Sequence, residues 1–285
     1  MPEPLRVAVI GVGRMGGPIA GHLLDAGHQV RLFDVSEASM AALVDRGAVA
    51  GGSPADAARG AAFVSVVVFD DDQARSVITG PEGLLGVLAE GTVIAVHTTV
   101  AIATMQELAA AAAAQGIVVL DAGISGGEEG ARAGTLLTMV GGPAATVEQV
   151  RPLLLSFSKD VIHAGDLGAG MALKLARNAT GYTMMAAVHE AMGLATAAGV
   201  DLALLRRTID ETGVFDQALA PFALGGPEPL GADAPEGFRT MLSHVRDLGE
   251  KDLDQALDLA HHLDIDLPVA ERARATFGRV MRLES

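Results

Sequence analysis

Residues 6–34 read RVAVIGVGRMGGPIAGHLLDAGHQVRLFD. A β-branched run, RVAVIG, meets Gly11-x-Gly13-x-x-Gly16; a helical pattern follows over 14–26, and a second apolar run, QVRLFD, ends on an acid at Asp34. The three glycines have separable roles. Gly11 permits a tight turn, Gly13 lets the backbone approach a pyrophosphate, and Gly16 lets a helix pack closely on the strand. The helix N-terminus then turns its unpaired N–H groups toward the phosphates. A lone GxGxxG also occurs as a Gly-rich turn in other α/β proteins. Here it follows a strand and opens a helix, so it predicts dinucleotide binding, with Gly11, Val12, Gly13, Arg14, Met15 and Gly16 as the cofactor loop.

Asp34 closes the second strand, 21 residues after Gly13. A carboxylate there accepts hydrogen bonds from the adenosine ribose hydroxyls and repels a 2′-phosphate. The next residues, Val35 and Ser36, offer no cation to hold that phosphate. NAD is therefore expected and NADP disfavoured; the alternative is a solvated acid at a strand end.

The same alternation continues. FVSVVVF (63–69), TVIAVHT (92–98), IVVLDAG (117–123), TLLTMVGG (135–142) and DVIHAG (160–165) read as strands, with helical stretches at 37–46, 71–78, 102–115 and 144–156. Strands alternating with helices predict a parallel, doubly wound α/β sheet of Rossmann type. From Gly168 to about Ala198 the strand signal stops, and one helix of ~45 Å is expected at 1.5 Å per residue. Everything beyond reads as helical except the Gly/Pro-rich stretch 223–237. The expected organisation is a dinucleotide-binding domain over 1–166 and an all-helical substrate and oligomerisation domain over 167–285, joined by the long helix.

Composition narrows the function. The chain has 285 residues, half of them apolar, with no Trp and one Tyr, so its cores must be aliphatic and Met-filled. Met184 and Met185 are expected in core packing; Phe215 and Phe222 are expected there too, with lining of the substrate pocket from the helical domain as the alternative. A formal net charge of −15 excludes a general nucleic-acid binder. Without Cys there is no disulfide or thiolate metal site, and the eight His show no metal-ligand spacing, so no metal is expected. The Met-Pro-Glu-Pro start lacks the features of a signal peptide, and no apolar run is long enough to cross a membrane. A cytoplasmic protein without membrane partners is expected. The small residues of the long helix predict a homodimer or homotetramer.

The chain uses 17 Arg and only three Lys: Lys159, Lys174 and Lys251. Arg stays charged at any working pH, whereas a desolvated Lys can exchange a proton. Lys174 and Asn178 are four apart and share a helix face with Gly170, which would leave room beside the Lys for a ring or substrate. Spacing alone leaves a surface lysine and a proton-transfer lysine equally open.

Four motifs together carry a resemblance. Gly11-Val12-Gly13-Arg14-Met15-Gly16, Asp121-Ala122-Gly123-Ile124-Ser125-Gly126-Gly127, Gly170 to Asn178 as G-x-x-x-K-x-x-x-N, and Lys251-Asp252-Leu253 occur in order. The chain resembles the β-hydroxyacid dehydrogenases over essentially its whole length. It departs from that family at Gly123, where Pro is usual, at Val68-Phe69 in place of Leu-Pro, and at Ala101-Ile102 in place of Ser-Pro.

The resemblance implies NAD-dependent oxidation of a small β-hydroxy acid, such as 3-hydroxyisobutyrate, to its semialdehyde. Lys174 would be the acid/base, with Asn178 orienting it. Ser125, Gly126 and Gly127, together with Lys174 and Asn178, would bind the small carboxylate-bearing substrate. Lys251, Thr99 and Phe69 would join the cofactor site; for Lys251 and Asp252 the alternative is a solvated ion pair. Reduction of tartronate semialdehyde, succinic semialdehyde or glyoxylate is the second reading, and an imine reductase the third. The reading from another class is a non-catalytic NAD-binding interaction protein. Lys174 argues against the last two.

Overall fold

The computed structural model describes residues 4–284; the Met1-Pro2-Glu3 start, on which the absence of a leader was read, lies outside them. The elements run β1 (Arg6–Ile10), α1 (Gly16–Asp25), β2 (Gln29–Phe33), α2 (Glu37–Val44), β3 (Val49–Ala50), α3 (Pro54–Ala58), β4 (Phe63–Val66), α4 (Asp71–Thr79), β5 (Val93–Val96), α5 (Ile102–Ala113), β6 (Val118–Ser125), α6 (Gly127–Ala133), β7 (Leu136–Gly141), α7 (Ala144–Leu154) and β8 (Ser158–Gly165). The strands form one sheet in the order β3-β2-β1-β4-β5-β6-β7-β8. Strand order reverses between β1 and β4, which opens a crevice at their carboxyl ends.

Pairing is parallel throughout except between β6 and β7, which run antiparallel. The expected parallel, doubly wound sheet is thus present with one reversed pairing, which has a simple reason. A parallel crossover needs a dozen or more residues, and the short α6 link is too brief to carry the chain back. Helices cover both faces of the sheet. Ile19 and Leu23 of α1, Leu43 of α2, and Val147 and Leu154 of α7 close one side. Ala57 and Ala58 of α3, Ala74 and Ile78 of α4, and Met105 and Leu108 of α5 close the other. The central strands are thus buried on both faces, and they read as continuous apolar runs.

The helical part comprises α8 (Ala169–Ala197), α9 (Leu202–Thr212), α10 (Val214–Gln217), α11 (Ala220–Ala223), α12 (Glu236–His262) and α13 (Pro268–Val280). The chain divides into two compact units, Met1–Asn178 and Ala179–Ser285. The division falls inside α8, beyond the change of pattern at residue 166, because the first turns of this helix dock on the sheet. Met171 is buried in the sheet's core, and a Cβ on Gly170 would stand 2.6 Å from the Met139 oxygen of β7. Gly170 is therefore a site of helix-to-strand contact: of the two reasons a mid-helix glycine suggests, packing or room for a ring or substrate, the structure shows the packing one.

Within the second unit, α12 and α13 are joined by Arg274, which donates to Asp254 at 2.7 Å. The stretch 223–237 is tied to the C-terminal turn: Leu230 N–H donates to the Arg282 carbonyl at 2.9 Å, and the Arg282 guanidinium donates to the Glu228 carbonyl at 2.6 Å. Helices α9, α10 and α11 contain no buried residue. Met185, Phe215 and Phe222 are exposed, which corrects their assignment to core packing. No helix among the described residues is long and apolar enough to cross a membrane.

Candidate active site

The crevice between β1 and β4 opens into a cavity of about 860 Å³ lined by Gly11, Gly13, Arg14, Met15, Gly16, Asp34 and Phe69, with Gln73 and Ser76 of α4. Gly11 turns the chain at φ +88° directly over the Val67 carbonyl, where any side chain would collide. A Cβ on Gly16 would overlap the Gly11 carbonyl oxygen, whereas one on Gly13 would meet nothing within 4 Å. The loop backbone is thus packed from behind and open in front, and no side chain caps the N-terminus of α1. That cradle fits a dinucleotide pyrophosphate.

Val12 contributes its backbone: its N–H donates to Asp34 Oδ2 at 2.8 Å, while Ser36 N–H donates to Oδ1 at 2.8 Å. These bonds fix the carboxylate beside the loop, and each oxygen keeps a lone pair for a ribose hydroxyl. Phe69 stands 85% exposed on the cavity wall. Its N–H donates to Gln73 Oε1 at 3.1 Å, and Gln73 N–H in turn donates to the Asp70 cap of α4 at 2.9 Å. Thr98, which sequence reasoning passed over, accepts from Val68 N–H at 3.0 Å and donates to the Val68 carbonyl at 2.9 Å, shaping the turn that carries Phe69. Thr99 is exposed and does not line this cavity.

Lys174 lies on the second turn of α8 with its stem across β6. A Cβ on Gly123 would stand 3.0 Å from Lys174 Cβ and 3.1 Å from its Cγ, so the residue that replaces the family's proline makes room for the lysine stem. The amine donates to the Ile124 carbonyl at 2.5 Å, at the head of Ser125-Gly126-Gly127. Burial lowers the Lys174 pKa below the ordinary lysine value, and the neighbouring Arg177 charge lowers it further. Asn178 follows one turn later, half-buried, its amide oxygen accepting from Arg177 at 3.4 Å. Ser125 is half-buried, and Gly126 and Gly127 turn at φ +135° and +64° with their backbones exposed. A half-buried amine bonded to Ile124, the residue that leads into the Ser125 hydroxyl and the exposed Gly126-Gly127 backbone, is equipped to hold a carboxylate and exchange a proton.

Lys251 belongs to the second unit, on α12, where its amine pairs with Asp252 at 2.8 Å and both side chains are exposed. Among the described residues, no group of three His, Asp or Glu stands close enough to hold a metal.

Two further groups carry roles that the sequence reading did not assign: Asp121, quoted there only as the head of a motif, and His97. Asp121 is fully buried and accepts from the N–H groups of Gly168 and Met171 at the start of α8. His97 is buried between strands, its Nδ1 donating to the Ala122 carbonyl at 2.8 Å and its Nε2 accepting from Ser65 at 3.2 Å. Burial pulls its pKa down to about 4, against the raising effect of the Ala122 bond. Neither acts on a sequence neighbour, so no local pattern disclosed their roles.

Two family models match the chain. One, described as the NAD binding domain of 6-phosphogluconate dehydrogenase, covers residues 6–165. The other, described as NAD-binding of NADP-dependent 3-hydroxyisobutyrate dehydrogenase, covers 168–284. The chain is 38% identical to an uncharacterized oxidoreductase of Mycobacterium tuberculosis, over 95% of this chain and 92% of that protein. It is 35% identical to 3-hydroxyisobutyrate dehydrogenase of Pseudomonas aeruginosa, over 95% of this chain and 91% of that protein. A crystal structure from Mycobacterium avium, assigned as an oxidoreductase, superposes with a TM-score of 0.84 at 36% identity, over 99% of this chain and all of that one. The pyrophosphate cradle, the desolvated lysine and these matches along both units make the chain a member of the β-hydroxyacid dehydrogenases, an NAD(P)-dependent oxidoreductase family.

Proposed function

We propose that the chain oxidises 3-hydroxyisobutyrate, or a close β-hydroxy acid, to its semialdehyde with NAD. The observation that carries this reading is the Lys174 amine, desolvated and bonded to Ile124 at the head of the Ser125-Gly126-Gly127 turn. The Ser125 hydroxyl and the Gly126 and Gly127 N–H groups hold the substrate carboxylate. In its neutral form Lys174 takes the proton from the β-hydroxyl at Nζ, and Asn178 orients the amine or the substrate. The nicotinamide, when bound, accepts the hydride. In reduction the ammonium gives the proton back to the carbonyl oxygen. Arg could not replace Lys174 in this role, because its pKa lies too high.

NAD preference rests on Asp34, whose two oxygens are fixed beside the cofactor loop. A 2′-phosphate would meet that carboxylate with no new cation from Val35 or Ser36. Comparing kcat/KM for the two cofactors tests this. We expect at least a tenfold advantage for NAD, about 1.4 kcal/mol; an NADP advantage would remove Asp34 as the selector. Thr99 as a ribose contact and Lys251 as a cofactor cation rest on the family motifs. So does the assignment of 1–166 to the cofactor and 167–285 to substrate and assembly. The exposed apolar face of α8, with Tyr182 and Met185, supports a homodimer or homotetramer. The absence of Cys suits a cytoplasmic setting.

Absorbance at 340 nm with a panel of C3 to C5 hydroxy acids, L-serine included, tests the substrate. L-Serine belongs in the panel because an NAD-dependent L-serine dehydrogenase of Pseudomonas aeruginosa is 34% identical over 86% of the chain. Lys174→Met should cut kcat by at least about 1,000-fold, within the range for loss of a positioned acid/base, while NAD still binds. Turnover within tenfold of the parent would take Lys174 out of the mechanism.

A further inference from the structure

Among the described residues, Asp121 is the only acid in the buried set. It sits on β6 between Val96 of β5 and Gly141 of β7. Gly141 is what admits it: a Cβ there would collide with Asp121 Oδ1. With that room, Oδ1 accepts from Gly168 N–H at 2.7 Å and Oδ2 from Met171 N–H at 2.5 Å. These N–H groups belong to the start of α8, where a helix cannot satisfy its own donors. Normally the residue before a helix supplies the capping oxygen from its own side chain. Gly168 has none, and the capping carboxylate comes from another strand, 47 residues earlier. Burying a carboxylate is costly unless strong hydrogen bonds compensate, and bonds to an ionised acceptor are the strong kind.

Three residues beyond Met171, the amine of Lys174 returns to the same strand and donates to Ile124, three residues beyond Asp121. Strand β6 therefore grips α8 at two points, one carboxylate and one carbonyl. Between them Gly170 lies against the backbone of β7 and Gly123 under the lysine stem, so neither side chain keeps the elements apart. A helix held at its first turn cannot rotate or slide without withdrawing Lys174 from Ile124.

We propose that Asp121 is a positioning residue for the reaction: its carboxylate sets the rotation and register of α8 and so seats the Lys174 amine at the mouth of the Ser125-Gly126-Gly127 turn. The consequence for turnover rests on Lys174 being the proton-transfer group; the consequence for the seating of its amine does not. Arg177 is the charged group that acts on this amine, and it rides on the same helix.

The test uses the full chain with NAD bound, as Asp121→Asn and Asp121→Ser. Asn matches the carboxylate in shape but turns an NH2 toward one of the two donors. Ser is a capping side chain too short to reach both. Competitive acetylation with acetic anhydride across pH, read by mass spectrometry, follows each of the three lysines separately. In both variants the titration of Lys174 should move up toward the ordinary lysine value. The drop in kcat should be of the order of 100-fold, the penalty for a misplacement of about 1 Å, with NAD affinity preserved. Folded variants in which Lys174 titrates and turns over as in the parent overturn the proposal. So does a kcat loss that follows only the folded fraction, and so does failure of both variants to fold, which would make the carboxylate a fold determinant alone. A shifted titration alongside an active Lys174→Met would leave the positioning intact and discard the role of Lys174.

Discussion

The two compact units solve the problem of burial differently. In the first, Val7, Ala8, Val9, Ile94, Ala95 and Val96 show no exposed surface, and helices close both faces of the sheet. In the second, α12 spans 27 residues yet buries only Leu242 and Ala260. Tyr182, Met185, Leu204, Leu219 and Phe222 are each more than half exposed there. The sheet unit buries its apolar surface within one chain. The helical unit carries apolar residues at helical spacing with too few layers of its own to cover them, and the proposed homo-oligomer would cover them with a second copy.

The largest expected effect breaks this contrast directly. Tyr182→Glu combined with Met185→Glu places two charges one turn apart on the exposed face of α8. If that face meets its counterpart in a second copy, each lost side chain forfeits roughly 1.5–3 kcal/mol of burial, and a twofold interface counts both twice. Light scattering at micromolar concentration should then fall from a multiple of the chain mass to the single-chain mass. Hydrogen exchange in β1 and β5 should not change. A parent protein that is already monomeric would sink the idea.

The same contrast governs what the sequence disclosed. Strands buried on both faces leave long β-branched runs, and α8 leaves an uninterrupted helical pattern, so these elements and their order were legible. Strand β3, at two residues, and the helices α3 and α6, at five and seven, are too short for a period to register. The reversal at β7 was hidden because residue alternation carries no direction. The Gly loop, Asp34 and Phe69 share one cavity, and their motifs are local in the chain. Gly170 was legible as important but not in its role: a missing side chain does not say what approaches it. Asp121 and His97 have partners tens of residues away, where composition and spacing are silent.

His97 sharpens the comparison within the sheet unit. Its ring meets Phe157 edge-on at 5.7 Å, and burial holds its pKa to about 4. In an unfolded chain the value is about 6.5. Between these pH values the unfolded state binds the extra proton, so stability rises with pH across the window. It is fully present above the unfolded value and is lost as pH falls toward 4. The 2.5-unit difference corresponds to roughly 3 kcal/mol at 1.36 kcal/mol per unit. His97→Gln keeps a donor for Ala122 but does not titrate. Urea unfolding should therefore show a flatter pH slope from 6.5 to 4 in the variant, which closes much of its gap to the parent at the acid end. An unchanged slope would mean that His97 is not the group that titrates.

The smallest effect lies in the helical unit, where Glu190 of α8 is the counterpart of Asp121. Its carboxylate accepts from Val269 N–H at 2.7 Å and Ala270 N–H at 3.1 Å, at the start of α13. Pro268 fills the first position, where no N–H is needed, so the acid meets the next two orphan donors. Both carboxylates cap a helix from a distant element, but Glu190 is only half-buried, so water can replace it in part. Glu190→Gln keeps one acceptor and removes the charge that favours a helix N-terminus, at a cost of about 1 kcal/mol. The loss should be confined to faster hydrogen exchange over 268–280, with the amides of β1, β4 and β5 unchanged. Equal acceleration in both units would show that they unfold as one, and the contrast in burial would then carry no separate stability.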